Sequence, residues 1–276
     1  FIIYSIYSMP KKCPKGKAVC KCKTNKTPKL MKVKDLAGDE KFKGIHPNLP
    51  SLPSCCILVG AIKSSKSNLI INFLMSDDFY KDKFDVVRVM STTLHMDDKG
   101  KLMNKFFDCD DHYEDKFIDD IIESQGKFSK ADRPTYCLVL DDCLNADFCK
   151  RNNKLAYFMT KMRHYIDMSI ISVQSINHIP PLIRAQARDI IIARQNNHKE
   201  KIKLMEQFSG LLGEDGDKTF MRLYEYCHKK PYQFMYIKGS ENPAEVYFNF
   251  EEKIHPLTNT KTETKEVDEE FEDEIE

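Results

Sequence analysis

Short apolar runs alternate with longer amphipathic segments through the middle of the chain, and this alternation constrains the fold more than any other feature of the sequence. Apolar runs of about four to eight residues are typical of buried strands, whereas apolar residues on one face of a longer segment are typical of helices. Strands joined through helices form mainly parallel sheets that helices cover on both faces. The predicted strands are residues 55–59, 84–90, 136–140, 168–174, 188–193, 232–237 and 245–249, and the predicted helices are residues 67–75, 115–123, 154–162 and 201–212. The sequence therefore predicts an α/β fold of three layers.

The chain of 276 residues is long enough to bury such a core within one large domain, which we place at residues 54–255. The segments on either side have opposite charge. Ten lysines and no acidic residue lie within residues 11–34, whereas nine acidic residues and one lysine lie within residues 263–276. We predict a basic, partly disordered arm and lead-in at residues 1–53 and an acidic, disordered tail at residues 256–276. The lysines of the arm either contact DNA phosphates or are only solvated.

The segment LVGAIKSSKSNLI (58–70) joins a predicted strand to a predicted helix through a short polar loop. The N–H groups of such a loop and of the helix N-terminus can surround phosphate oxygens. Lys66 would place a positive charge on the β- and γ-phosphates, and Ser67 would offer a hydroxyl to Mg²⁺. This layout predicts an ATP-binding Walker A loop formed by Gly60, Ala61, Ile62, Lys63, Ser64, Ser65, Lys66, Ser67 and Asn68.

One position departs from the usual pattern G-x-x-x-x-G-K-[ST], because Ser65 occupies the place of the second glycine. A Cβ atom at this point would strain a tight backbone turn. The segment alone is also compatible with a plain strand, turn and helix in which the Lys-Ser pair has no special role.

Two aspartates end the apolar run YCLVLDDC (136–143). At the carboxyl end of a central strand, one carboxylate can hold Mg²⁺ and a second can polarise the attacking water. We assign Asp141 to the metal and Asp142 to the water. A strand that ends in two aspartates is often only a turn, but here it follows the Lys66 loop with one strand and one helix between them.

A third polar strand end occurs in SIISVQS (169–175), where Gln174 follows an apolar run. Its amide could contact the γ-phosphate or the attacking water and so act as a sensor. The alternative is a glutamine that only ends the strand.

Taken together, GAIKSSKSNL, LVLDD, KMRHYIDMSIISVQS and IPPLIRAQARDIII resemble the genome-packaging ATPases of large DNA viruses, the poxvirus-type branch of the FtsK/HerA superfamily. The resemblance covers residues 54–195. It implies a P-loop fold of the additional-strand type, related to RecA, and a homo-oligomeric ring, expected to be a hexamer. It also implies the cofactors ATP and Mg²⁺, movement of double-stranded DNA into a capsid, and a capsid or virion membrane protein as partner.

The resemblance assigns roles to individual residues. Walker A positions fall on Gly60, Lys66 and Ser67, the metal carboxylate on Asp141, the catalytic base on Asp142 and the sensor on Gln174. An arginine that enters a neighbouring subunit's site would stabilise charge that develops on the γ-phosphate, and its first candidate is Arg163. Arg184 and Arg188 are weaker candidates. Arg163 could equally bind the carbonyls at the end of its own helix.

The resemblance further implies a location in the host-cell cytoplasm or virus factory, and in the virion. The apolar start FIIYSIYS is too short to span a bilayer, and no other apolar stretch approaches the length of a membrane span. We therefore expect no stable membrane insertion.

The ten cysteines are scattered, and Cys55, Cys56 and Cys137 lie in apolar runs, which indicates small core residues in a reducing compartment rather than a disulfide scaffold. A zinc site built from Cys13, Cys20, Cys22 and distant His46 is disfavoured, because the cysteine spacing matches no common zinc module.

Two other functions are compatible with the same sequence features. A nucleotide or nucleoside kinase could use the same loop, although the sequence shows no arginine-rich lid segment for an acceptor. A non-catalytic protein could bind ATP as a structural switch, and the serine at position 65 is the best support for that reading.

Overall fold

The structure of the protein is a computed structural model that describes residues 42–143, 154–240 and 244–255. Most of the predicted arm and all of the predicted acidic tail lie outside these residues, so both boundaries stay predictions. Cys13, Cys20 and Cys22 of the disfavoured zinc site also lie outside the described residues.

Nine strands of the described residues form a single sheet. Their order is β3-β2-β4-β5-β1-β6-β7-β8-β9. The first six strands in this order are parallel, and the last three pair in antiparallel fashion. The strands are β1 (Ser54–Val59), β2 (Val86–Ser91), β3 (Asp108–Asp110), β4 (Tyr136–Asp141), β5 (Met168–Val173), β6 (Asp189–Ala193), β7 (Phe234–Lys238), β8 (Glu245–Phe248) and β9 (Glu252–Ile254).

Helices cover both faces of this sheet. They are α1 (Lys66–Met75), α2 (Asp98–Phe106), α3 (Lys116–Gly126), α4 (Lys154–Lys161), α5 (Pro181–Arg184), α6 (His198–Phe208) and α7 (Gly216–Cys227). None of the helices within the described ranges has the length and apolar character needed to cross a bilayer.

Side chains of the central strands alternate between two apolar layers. In β1, Cys56 and Leu58 pack with Phe73 of α1, whereas Ile57 and Val59 pack in the layer that holds α3, α4, α6 and α7. The predicted three-layer α/β fold with a mainly parallel sheet is therefore confirmed.

One strand separates β1 from β4. The strand β5 pairs in parallel with both, so that Val59 lies opposite Val173 and Asp141 lies opposite Ser172. This is the additional-strand arrangement that the resemblance implies. It brings the carboxyl ends of β1, β4 and β5 to one edge of the sheet.

The described part of the lead-in packs against the domain. Leu49 is buried, the Nδ2 of Asn48 donates to the carbonyl of Phe250 at 2.7 Å, and the hydroxyl of Tyr80 donates to the carbonyl of Pro50 at 2.6 Å. Residues 42–53 therefore contribute to the core around Phe73.

Candidate functional site

The predicted Walker A loop connects β1 to α1 and is fixed at both neighbouring strands. The N–H of Gly60 donates to the carbonyl of Val173 at 3.2 Å, and the N–H of Ala61 donates to the carbonyl of Arg194 at 3.0 Å. A Cβ atom at Gly60 would lie 2.7 Å from the Cβ of Ala193, so this position has no room for a side chain. The loop is therefore held by the ends of β5 and β6.

Two loop residues other than glycine have left-handed backbone conformations. Ser65 has φ 71° and ψ 18°, and Lys63 has φ 62°. This region of conformational space disfavours side chains with a Cβ. The left-handed backbone of Ser65 therefore agrees with the strain that we predicted for a serine at this position.

Lys66, the first residue of α1, turns its side chain back over the loop. Its ammonium donates to the carbonyls of Gly60 at 2.9 Å and Ala61 at 3.2 Å, and the residue is 6% exposed. Burial lowers the pKa of Lys66, while the nearby carboxylates of Asp142 and Asp141 act in the opposite direction. The site thus places a cation beside two acidic groups.

Asp141 ends β4 beside the hydroxyl of Ser67, which donates to its Oδ2 at 3.1 Å. Burial raises the pKa of Asp141, Asp142 acts in the same direction, and the hydroxyls of Ser172 and Ser67 oppose the shift. The second carboxyl oxygen, Oδ1, makes no hydrogen bond of normal geometry to any described residue, and the Ser172 hydroxyl also lacks one.

This donor set fits a magnesium ion. Mg²⁺ prefers oxygen ligands and is commonly held by one or two carboxylates together with substrate phosphates. A buried carboxyl oxygen without a partner is costly unless a cation or donor approaches it. Asp141 and Ser67 are the residues that would hold the ion.

Asp142 has the left-handed φ of 49° and turns away from the strand. Its N–H donates to the carbonyl of Ser172 at 3.0 Å, and its carbonyl accepts from the hydroxyl of Thr92 at 3.3 Å. The Nε2 of Gln174 approaches its Oδ2 at 3.4 Å. The structure therefore brings the predicted base and the predicted sensor together, where both could bind one water molecule.

Gln195 was not predicted from the sequence, yet it contacts the predicted sensor, Gln174. Its Nε2 donates to the carbonyl of Gln174 at 3.0 Å, and its N–H donates to the hydroxyl of Tyr224 at 2.7 Å. Gln195 is 4% exposed. The sequence offers one signal for it, a polar residue just after a buried parallel strand.

Two of the three candidate arginines, Arg163 and Arg188, lie at the edge of the sheet opposite the loop of their own chain. Arg163 is exposed and precedes β5 at its amino end, where the N–H of Asp167 donates to the carbonyl of Tyr136. Six strand residues span about 20 Å, which separates Arg163 from the opposite edge where the loop lies.

Arg188 likewise precedes β6, at its amino end. Arg184 lies in α5, with its Nη1 donating to the Oε1 of Gln207 at 2.5 Å. A different arginine, Arg194, follows the carboxyl end of β6 beside the loop and is exposed; sequence reasoning missed it.

A cavity of about 640 Å³ adjoins the loop, within the usual size range of small-ligand sites. Its walls include loop residues 63–66, Asn68 and Asn72 of α1, Lys99 of α2, and Tyr232 and Phe234 near the start of β7. Of the predicted loop, Ile62 instead projects outwards and is largely exposed. The walls that come from near β6 and β7 lie on one side of the loop, and the carboxylates lie on the opposite side, at β4 and β5.

Comparison with known proteins supports the fold. No protein-family model matches the chain, and a search of curated proteins found no match. The DNA-packaging ATPase B204 from Sulfolobus Turreted Icosahedral Virus is similar in structure, with a TM-score of 0.52 and 15% identity over 74% of this chain and 98% of that chain. The genome packaging NTPase B204 from Sulfolobus turreted icosahedral virus 2, in complex with sulfate, gives a TM-score of 0.50 and 17% identity over 70% and 95% of the two chains. At these identities the similarity establishes a shared fold.

Proposed function

We propose that this protein is a P-loop ATPase that moves double-stranded DNA and packages a viral genome into a capsid. The observation that carries the proposal is the meeting of Lys66, Ser67, Asp141, Asp142 and Gln174 at one edge of the sheet. That one structural neighbour is described as a DNA-packaging ATPase supports the choice of DNA as the substrate to be moved. Assignment to the poxvirus-type branch is part of the proposal.

Each site residue has a distinct role in in-line attack of water on the γ-phosphate of ATP. The N–H groups of the part of the loop that follows Ala61, and of the α1 N-terminus, would bind the phosphates. Mg²⁺, held by Ser67 and Asp141, would supply charge neutralisation on the β- and γ-phosphates. Lys66 would add a second positive charge. Asp142 would orient the water, and Gln174 would contact the water or the γ-phosphate.

A ring of identical subunits, which we propose to be a hexamer, would complete the site. Arg163 lies about 20 Å from the loop edge of its own chain, so it can serve only a neighbouring subunit. The lysines within residues 11–34 of the predicted arm would add contacts to DNA phosphates without sequence preference. A capsid or virion membrane protein as partner, and a location in the cytoplasm, virus factory or virion, belong to the same proposal.

The test is ATP turnover with and without double-stranded DNA, for wild type, Asp142→Asn and the exposed control Asp120→Asn. We expect DNA to accelerate the wild type and the control. We expect Asp142→Asn to lose turnover while it still binds ATP, because the loop and metal ligands remain. DNA without effect on wild-type turnover would contradict the motor.

The same assay separates the two alternatives. Acceleration by a nucleoside instead of DNA, with phosphate transferred to it, would indicate a kinase. ATP binding without turnover, together with a Lys66→Ala variant that keeps its biological activity, would indicate a non-catalytic switch. Ser65 is the feature that favours this last function, because a serine with a left-handed backbone occupies the place where the usual pattern has glycine.

A further inference from the structure

Tyr232 is a large aromatic residue in an exposed and strained position at the edge of the cavity. It is 69% exposed and has φ 66°. The turn that contains it is fixed by the N–H of Lys230, which donates to the Oε1 of Gln233 at 2.9 Å. Backbone strain of this kind persists where the surrounding structure imposes it, and it is concentrated at ligand sites. The ring is therefore held at the cavity instead of folding into the core.

The direction of β7 explains how this ring reaches the loop. Because β7 is antiparallel to β6, its first residue, Phe234, lies opposite Ala193 at the carboxyl end of β6. Ala193 is one of the two residues, with Ser64, that a side chain at Gly60 would strike. Tyr232 precedes Phe234 by two residues, and both line the cavity together with loop residues 63–66.

The catalytic residues fix the orientation of a bound nucleoside triphosphate. Asp142 and Gln174 follow β4 and β5, on one side of β1, so the γ-phosphate must point to that side. The remainder of the ligand then extends across the loop towards β6 and β7. The strand β7 is two positions from β1, about 10 Å away, where the cavity opens beside Tyr232.

A nucleobase needs a flat apolar surface, which the lysines and serines of the loop do not offer. The exposed ring of Tyr232 and the half-buried ring of Phe234 are the aromatic groups that line the cavity within the described chain. Bases stack on aromatic side chains, and such stacks tolerate different bases because every base has a π-face. We propose that Tyr232 is the platform on which the base of the bound nucleoside triphosphate stacks. This proposal rests on the proposed function, since it concerns the opposite end of the same ligand.

The experiment compares two ligands that share the phosphates but not the base. Dissociation constants of ATP and of inorganic tripolyphosphate, each with Mg²⁺, are measured by calorimetry on the full chain. The variants are Tyr232→Ala, Tyr232→Phe and Tyr157→Ala. Tyr157, on α4 of the opposite helical layer, is similarly exposed but does not line the cavity, so it is the matched control.

We expect Tyr232→Ala to weaken ATP binding about tenfold and to leave tripolyphosphate binding unchanged. Tyr232→Phe, which keeps the ring, and the Tyr157→Ala control should bind both ligands as the wild type does. If Tyr232→Ala weakens the binding of both ligands equally, or of neither, the proposal that Tyr232 stacks on the base is wrong. Such a result would not contradict phosphate binding by the loop. A wild-type protein that binds neither ligand would overturn the proposed function and this inference with it.

Discussion

Replacing Ser65 with glycine should stabilise the protein, although the change removes a side chain from the predicted phosphate-binding loop. Ser65 precedes α1 with φ 71° and ψ 18°, and its hydroxyl makes no capping hydrogen bond to that helix. Ser65→Gly therefore removes a Cβ from an unfavourable conformation without breaking a cap. Glycine occupies left-handed conformations without this penalty.

The size of the effect follows from two opposing terms. A left-handed conformation costs a residue with a Cβ roughly 1–2 kcal/mol. Glycine, however, increases the freedom of the unfolded chain, which costs about 0.4–1 kcal/mol. We therefore expect the free energy of unfolding to rise by about 0.5–1 kcal/mol, which corresponds to a Tm increase of about 1–4 °C for a domain of this size.

The assay is thermal and urea denaturation of wild type, Ser65→Gly and Ser76→Gly. Ser76 lies at the other end of α1 with φ −89°, so the same chemical change relieves no strain there. The free energy of unfolding of Ser76→Gly should fall by about 0.4–1 kcal/mol, because glycine gives the unfolded chain more freedom. If both glycine variants lose the same stability, the left-handed backbone of Ser65 carries no penalty and the reasoning is wrong.

Three further predictions concern residues of the candidate site and the candidate arginine Arg163. Gln195→Glu keeps the side-chain shape but cannot donate to the carbonyl of Gln174, so kcat should fall about 5- to 10-fold with KM unchanged, as steady-state ATPase kinetics would show. Asp141→Asn removes a buried charge, so without Mg²⁺ it should raise the unfolding free energy by about 1–2 kcal/mol while turnover is lost; a lower Tm than wild type would contradict this. Arg163→Ala should lower kcat by about 10³-fold or more, and mixing it with Lys66→Ala subunits should restore turnover if the arginine acts on a neighbouring subunit. Absence of restoration in mixed oligomers would count against that role.

Much of the fold could be predicted because its central strands are buried on both faces. Such strands are continuous apolar runs, and β1, β4 and β5 are buried along their whole length. The helix α2 was missed because it buries only Gly100 and Met103, which leaves almost no periodic signal. The strands β3 and β9 have three residues each, too few to show a pattern.

The helix α7 was also missed, although its sequence carries the spacing of apolar residues that is typical of a helix. Its buried residues are Phe220, Leu223, Tyr224 and Cys227, which follow the spacing of one helical face. This spacing predicts a helix before β7 from the sequence alone.

Some residues of the candidate site could also be predicted from the sequence, and others could not. Lys66 and Asp141 could be associated from the sequence, since the carboxyl ends of parallel strands share one edge of a sheet. Tyr224 and Tyr232 could not be placed there, because one lies on a helix and the other precedes an antiparallel strand. Their proximity to the loop depends on the tertiary path of the chain, which no local pattern encodes.

The strand β5 connects the candidate site to the residue that the proposed ring would place in a neighbouring subunit. At its carboxyl end, Gln174 contacts Asp142, and the carbonyl of Ser172 accepts from the N–H of Asp142. At its amino end, the segment Met162–His164 carries Arg163. Under the proposed function, one buried strand thus joins the residue that serves the neighbouring site to the sensor of its own site. Because β5 is paired on both sides along its length, a displacement at one end must move β1 or β4 as well. The inserted strand therefore offers a rigid connection through which the state of one site could bias the next.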